Sequence, residues 1–266
     1  MWYRCVSSSP PSLWDSWGFF WGAGYPHGSQ QSADLVTQPE IVRADAIREH
    51  PMPDLMGMGH AGAMFTCTLV AFDEMDLLDA GGPYEVLLTA SRLLDRDGHD
   101  GALDIVTAGI HPGIVHAYGG LGLEVTTALA DVAHTDILIV PGAINTTLLT
   151  GDVELIGQVA RLAADATVTL SVCTGAFMLA AAGLLVGRPW TTHHEDIDAL
   201  ARILGPDLAR PGAQWVDSGQ IVTAAGLSTG IAGALHVVDR LFGSELAERT
   251  AEQIEYDWAP TATTRL

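Results

Sequence analysis

Four short apolar runs rich in β-branched residues constrain the fold more than any other feature: FTCTLVAF (65–72), LDIVTAG (103–109), TDILIVPG (135–142) and TVTLSV (167–172). Runs of this length and composition are strands buried on both faces. Helical patterns stand between them. PYEVLLTASRLL (83–94) carries apolar residues at helical spacing, and DVELIGQVARLAAD (152–165) predicts an amphipathic helix opening after Gly151, with Asp152 at or beside its cap. Strands that are apolar throughout and alternate with helices require a mostly parallel sheet covered on both sides, which is an α/β architecture. Downstream, AQWVDSGQIVTA (213–224) predicts a hairpin turning at Asp217-Ser218-Gly219. A last helical region runs from Ser228 to about Tyr256, interrupted near Gly243.

VTLSVCTGAFMLAAAGLLVG (168–187) carries no charge and is long enough to cross a bilayer. Its composition points elsewhere. Thr169, Ser171, Cys173, Thr174 and Gly175 crowd its first half, so it divides into a β-branched strand, a break and an Ala/Leu-rich helix. No Lys or Arg cluster flanks it, and two elements joined by a tight turn do not span a membrane as one rod. With 32 acidic residues against 12 basic ones, all of them Arg, the chain has a net charge of −20 and repels phosphate backbones. Neither a nucleic-acid nor a membrane partner is therefore expected. Cys5, Cys67 and Cys173 are too few and too scattered for a disulfide framework or a zinc site, which fits a reducing, cytoplasmic setting.

Residues 1–62 are a different material. MWYRCVSSSPPSLWDSWGFFWGAGYPHGSQQSADL holds four of the seven Trp residues beside Ser, Pro and Gly, without helical or strand periodicity. It also lacks the charged start and apolar core of a secretory signal. The expectation is a poorly ordered N-terminal extension, with Met56, Met58 or Met64 as alternative starts, followed by one α/β domain over 63–266.

In open parallel sheets, ligands sit beyond the carboxyl ends of the strands. LLDAGGP (77–83), VPGAIN (140–145) and SVCTG (171–175) read as strand ends that should converge there. In SVCTG, small residues flank Cys173 as in a nucleophile elbow, where strand turns sharply into helix and exposes one side chain. Unpaired amides and the dipole at the helix start are expected to lower the thiol pKa and make Cys173 a nucleophile at neutral pH. The same spacing also suits a buried structural cysteine. Backbone amides of Thr174, Gly142 and Ala143 are expected to receive charge developing on a substrate. Asp79, in an otherwise apolar approach, is either a partly desolvated proton carrier with a raised pKa or a helix N-cap.

The other polar cluster is WTTHHED (190–196). Two adjacent histidines do not share a helix face, so no metal pair is expected, and Glu195 and Asp196 read as first-turn acids of EDIDALARIL. His193 either lines the pocket or is a hydrogen-bonded structural histidine. P-loop and CxxC patterns are missing, and no cofactor is implied.

SVCTGAFMLAAAGLLVGRPWTTHH, with DAGGPYEVL upstream, ILIVPGA between, and IVTAAGLSTGIAGALHVVDRLFG and AERTAEQIEYDW downstream, resembles the ThiJ/PfpI superfamily. The resemblance runs over about residues 65 to 260. It is most similar there to the isonitrile hydratases, given Asp79 where many members carry Glu and Thr174 where many carry His after the cysteine. The resemblance implies a flavodoxin-like three-layer sandwich of the class I glutamine-amidotransferase-like group, a homodimer, and a small-molecule substrate. It implies Cys173 as nucleophile, Asp79 as its hydrogen-bonded proton carrier, Thr174 contributing amide and hydroxyl, and Gly142 and Ala143 completing the anion site. The reaction implied is hydration of an isonitrile to an N-substituted formamide. The same motifs suit the ligand-sensing domains of AraC-type regulators, and a peptidase, amidase or glyoxalase-like activity is a further alternative within the superfamily.

Overall fold

Each apolar run becomes a strand. In the computed structural model, which describes residues 64–259, the order is β1 (Phe65–Val70), α1 (Leu77–Arg96), β2 (Leu103–Gly109), β3 (Gly113–His116), β4 (Gly122–Val125), β5 (Thr127–Ala128) and β6 (Ile137–Val140). There follow α2 (Thr146–Gly151), α3 (Val153–Asp165), β7 (Val168–Val172), α4 (Gly175–Ala181), α5 (Ile197–Leu204), β8 (Trp215–Asp217), β9 (Ile221–Ala224), α6 (Thr229–Phe242) and α7 (Ser244–Gln253). The extension expected over 1–62 lies outside the described residues. None of the described helices is long and apolar enough to cross a membrane.

The main sheet has the order β5-β2-β1-β6-β7-β9-β8, parallel throughout except at the β8–β9 hairpin. Period-two alternation sorts its side chains into two cores. Phe65, Cys67 and Leu69 of β1, Ile137 and Ile139 of β6, and Leu170 and Val172 of β7 pack on one side, under α1, α6 and α7. Val70, Leu138 and Val140 face the other side, against Leu155 and Val159 of α3 and Ala176 and Leu179 of α4. The result is the expected mostly parallel α/β sandwich.

Helix starts follow local chemistry. Asp152 caps α3 by accepting from the Leu155 amide at 2.9 Å, as its position after Gly151 suggests. Gly243, at φ 93°, separates α6 from α7 where a break is expected. Three expectations change. LLDAGGP is not a strand end: α1 begins at Leu77 and carries Pro83 inside it. Its N-cap is Asp76, which accepts from the Leu78 amide at 3.1 Å, so Asp79 is a buried first-turn residue and not the cap. Glu195 and Asp196 precede α5, whose first-turn acid is Asp198. The β3–β4 hairpin and α2 escape the sequence reading because β3 is mostly exposed and α2 spans only six residues, leaving little hydrophobic period to detect.

Two close approaches set the position of the site. Pro83 of α1 and Gly230 of α6 meet tightly: a Cβ at Gly230 would sit 3.6 Å from Pro83 Cδ and 2.8 Å from Val172 Cγ1. This crossing brings the start of α1 against the loop before α6. At the start of α4, a Cβ on Gly175 would collide with the Val140 carbonyl oxygen and lie 2.9 Å from that of Pro141. Backbone oxygens do not yield cheaply. Gly175→Ala is expected to cost about 3 kcal/mol of stability, the upper end for overpacking, read as a lower urea midpoint at unchanged m-value.

Candidate active site

β7 ends at Val172, and the next residue departs from ordinary backbone: Cys173 has φ 57°, left-handed for a residue with a side chain. This conformation costs roughly 1–2 kcal/mol and persists only where surroundings hold it. Two bonds do so. The Cys173 amide donates to the Ala224 carbonyl at 3.1 Å, and the Thr192 hydroxyl donates to the Cys173 carbonyl at 2.9 Å. The sulfur therefore stands at the corner between strand and helix, in a residue only 9% exposed. The elbow read from SVCTG is present.

Asp79 lies beneath it, fully buried. Its Oδ1 accepts the Leu227 amide at 2.9 Å and its Oδ2 the Gly142 amide at 3.2 Å, while the Cys173 thiol donates to the same carboxyl. Burial, helped by the nearby charge of Asp76, raises Asp79 from 3.8 to about 7, against the pull of the two amides and the thiol. Asp79 thus has the desolvation and raised pKa expected of it.

The thiol does not follow expectation. Burial first, then the negative charge of Asp79, pushes Cys173 up, and the Thr174 amide opposes them without prevailing. The resting group is a thiol hydrogen-bonded to a carboxyl that titrates near neutrality, not a free thiolate. In chemical terms the pair is a nucleophile with its base already in contact.

The amides assigned to an anion site are engaged elsewhere. Gly142 donates to Asp79, and Ala143 donates to Thr174 Oγ1 at 2.9 Å, whose hydroxyl in turn donates to the Ala143 carbonyl at 2.7 Å. The turn after β6 therefore positions the carboxyl and ties down the elbow; the amide beside the sulfur is that of Thr174. Gly142 has no room for a side chain, since a Cβ would lie 2.5 Å from Thr174 Oγ1 and 2.9 Å from Asp79 Oδ2. Thr174→Val keeps the volume and removes both bonds, leaving a buried amide and carbonyl unpaired. A loss of about 1–3 kcal/mol is expected, measured by urea unfolding.

His193 does reach the site. A Cβ on Gly226 would lie 2.9 Å from His193 Cδ2 and 3.4 Å from Cys173 Sγ, so ring and sulfur flank the same glycine. His193 Nδ1 sits 3.5 Å from Asp196 Oδ2, and its ring lies against His194 with centroids 4.4 Å apart. The structure thus gathers Cys173, Asp79, Thr174, Gly142, Ala143 and His193 in one place. Sequence reasoning missed Thr192, Gly226 and Leu227. Leu227, at φ 51°, turns its amide into the carboxyl from a position where glycine would be the usual occupant. The signal was TAAGLSTG, a small-residue break between strand and helix like the one around Cys173, hidden because its strand was read only as half of a hairpin.

Comparison with known proteins agrees with this geometry. The DJ-1/PfpI family matches residues 66–240. An isonitrile hydratase from Pseudomonas putida is 33% identical over 192 residues, spanning 71% of this chain and 77% of that protein. A ThiJ/PfpI family protein from Pseudomonas syringae superposes with a TM-score of 0.65 at 25% identity, covering 81% of this chain and 86% of the other. An AraC family transcriptional regulator from Pseudomonas putida shares the fold, with a TM-score of 0.58 at 22% identity over 71% of this chain and 99% of its own. Since the matched region runs from β1 through the elbow into α6, taking in the cysteine and the carboxyl beneath it, this chain belongs to the DJ-1/PfpI family.

Proposed function

We propose that the protein is a cysteine-dependent hydratase that converts an isonitrile, R–N≡C, into an N-substituted formamide. The observation that carries this reading is a single contact: the Cys173 thiol, at a strained elbow, donating to a buried Asp79 that two backbone amides hold in place. The terminal carbon of an isonitrile takes both a nucleophile and a proton. It therefore needs a thiol and a proton carrier on the same side, and it offers no leaving group that would call for a separate acid. The 33% identity to an isonitrile hydratase supports the same choice.

In the first step Asp79 takes the thiol proton as Sγ bonds to the isonitrile carbon, and delivers that proton to the same carbon. The adduct is a thioimidate, R–N=CH–S. Water then adds to its carbon, nitrogen gains a proton, and the C–S bond breaks to release R–NH–CHO and the thiol. A base already in hydrogen-bond contact with the nucleophile meets the geometric condition for proton transfer. Peptidase chemistry fits less well, because Thr174 follows the cysteine and its hydroxyl is tied to Ala143.

The test follows formamide by proton NMR as aliphatic and aromatic isonitriles are consumed. One formamide per isonitrile is expected. A protein that binds a small molecule beside Cys173 yet leaves every isonitrile unchanged overturns the proposal in favour of ligand sensing.

A further inference from the structure

A second opening lies at the same end of the sheet, and none of the residues that line it belongs to the Cys173 site. From β1 the chain steps out to β2 and later returns to lay β6 on the opposite flank of β1. The crevice beyond the carboxyl ends of strands that diverge in this way is where open α/β sheets take ligands. Here it is a cavity of about 610 Å³, bounded by the residues that follow β1 and β2, by α2 and by the start of α3. That volume suits a small organic molecule.

The walls are of two kinds. Phe72, Ile110, Leu148 and Leu155 supply apolar surface, with Leu148 40% exposed. Asp73 and Asp152 supply negative charge. One amide fixes each carboxylate through Oδ1: His116 donates to Asp73 at 2.7 Å and Leu155 to Asp152 at 2.9 Å. The Glu74 amide also donates to the His116 carbonyl at 2.8 Å, so the turn that carries Asp73 is tied to β3 twice. Each carboxylate keeps acceptor capacity on Oδ2. No Arg lines the cavity and the chain has no Lys, so the two charges face only the imidazoles of His111 and, 4.0 Å from Asp73, His116.

We infer that this cavity is a second binding site, for a small organic cation with an apolar body, of the arylalkylammonium class. The apolar walls take the ring, and the carboxylates take the ammonium head. An anion of the same shape would meet two like charges. The occupant would also rest against Thr147 and Leu148 of α2, the helix that follows directly on the turn where the Ala143 amide donates to Thr174 Oγ1.

The test titrates the isotope-labelled full chain with tryptamine at neutral pH, and with methylindole and indolepropionate as its neutral and anionic counterparts. Tryptamine is expected to shift the backbone NMR signals of Gly113, Thr147 and Gly151 in one saturable transition. Methylindole should bind about 10-fold more weakly and indolepropionate not at all, and added salt should narrow the gap. Asp73→Asn/Asp152→Asn removes both charges yet keeps an acceptor for each amide and a good N-cap for α3. Its affinity for tryptamine should fall about 10-fold, to that of methylindole. Gly151→Phe tests the space itself: a Cβ there meets nothing within 4 Å, so the ring has room in the cavity and binding should disappear. The inference is overturned if tryptamine does not bind, if it moves Gly226 beside Cys173 and not those three signals, or if the three ligands bind alike. It is equally overturned if the asparagine variant binds tryptamine as wild type does, or if the signals move with protein concentration alone, which would make this face an interface between copies of the chain.

Discussion

Cys173→Ala is expected to lower formamide formation by about 10⁴-fold or more while the protein still folds, because no other group in the site can make the bond to carbon. The variant also separates chemistry from architecture. Cys173 sits at φ 57° because its amide is bonded to Ala224 and its carbonyl to Thr192, and neither bond involves the sulfur. Alanine inherits both bonds and the same backbone strain, so its urea midpoint should stay close to wild type. Glycine takes that conformation freely, and Cys173→Gly is expected to be more stable than Cys173→Ala by about 1 kcal/mol, without activity. Cys173→Ser tests the thiol itself. A hydroxyl keeps a hydrogen bond to Asp79 but is a far poorer nucleophile beside a carboxyl of about 7, so formation of any adduct should disappear with the sulfur. Formamide production surviving in Cys173→Ala would remove the basis for the proposed mechanism.

Part of this site was legible in the sequence because local pattern determined it. SVCTG encodes its own geometry: strand residues before the cysteine, and a glycine after it where any Cβ would strike the Val140 carbonyl. The α/β class followed in the same way from apolar runs alternating with helices. What the sequence did not disclose depends on pairings between distant segments. An amide after Pro141 looks free in one dimension, yet Gly142 faces a carboxyl 63 positions earlier and Ala143 a hydroxyl 31 positions later. The thiol was expected to ionise readily from its place at a helix start. That local effect is outweighed by desolvation and by a neighbouring charge, both of which arise only when α1 and α6 close over the elbow. Leu227 was invisible for the same reason, since its role is to aim one amide across 148 positions at Asp79.

Asp79→Asn carries the second large effect, and it divides into activity and stability. Turnover is expected to fall by about 10²–10⁴-fold, since the amide has no proton to exchange. Wild-type turnover should rise with pH as Asp79 ionises around 7, and the residual rate of the variant should lose that rise. Stability moves in the opposite sense. The folded protein holds a proton on Asp79 up to about pH 7, whereas the unfolded chain releases it near 3.8. A raised pKa stabilises the folded state fully below the unfolded value and stops doing so as pH climbs through the folded one, so stability should decline between those limits. At about 1.36 kcal/mol for each unit, that decline is on the order of 4 kcal/mol. Asparagine is neutral throughout and should not show it. Its NH2 group does meet a backbone amide where a carboxyl oxygen accepted one, which costs about 1 kcal/mol at every pH. The two stability curves are therefore expected to cross: Asp79→Asn is the weaker protein near pH 3 and the stronger one near pH 8, measured by urea unfolding of both proteins side by side. Parallel curves across that range would mean that the carboxyl ionises in the folded protein as it does in water, and the raised pKa assigned to its burial would have to be abandoned.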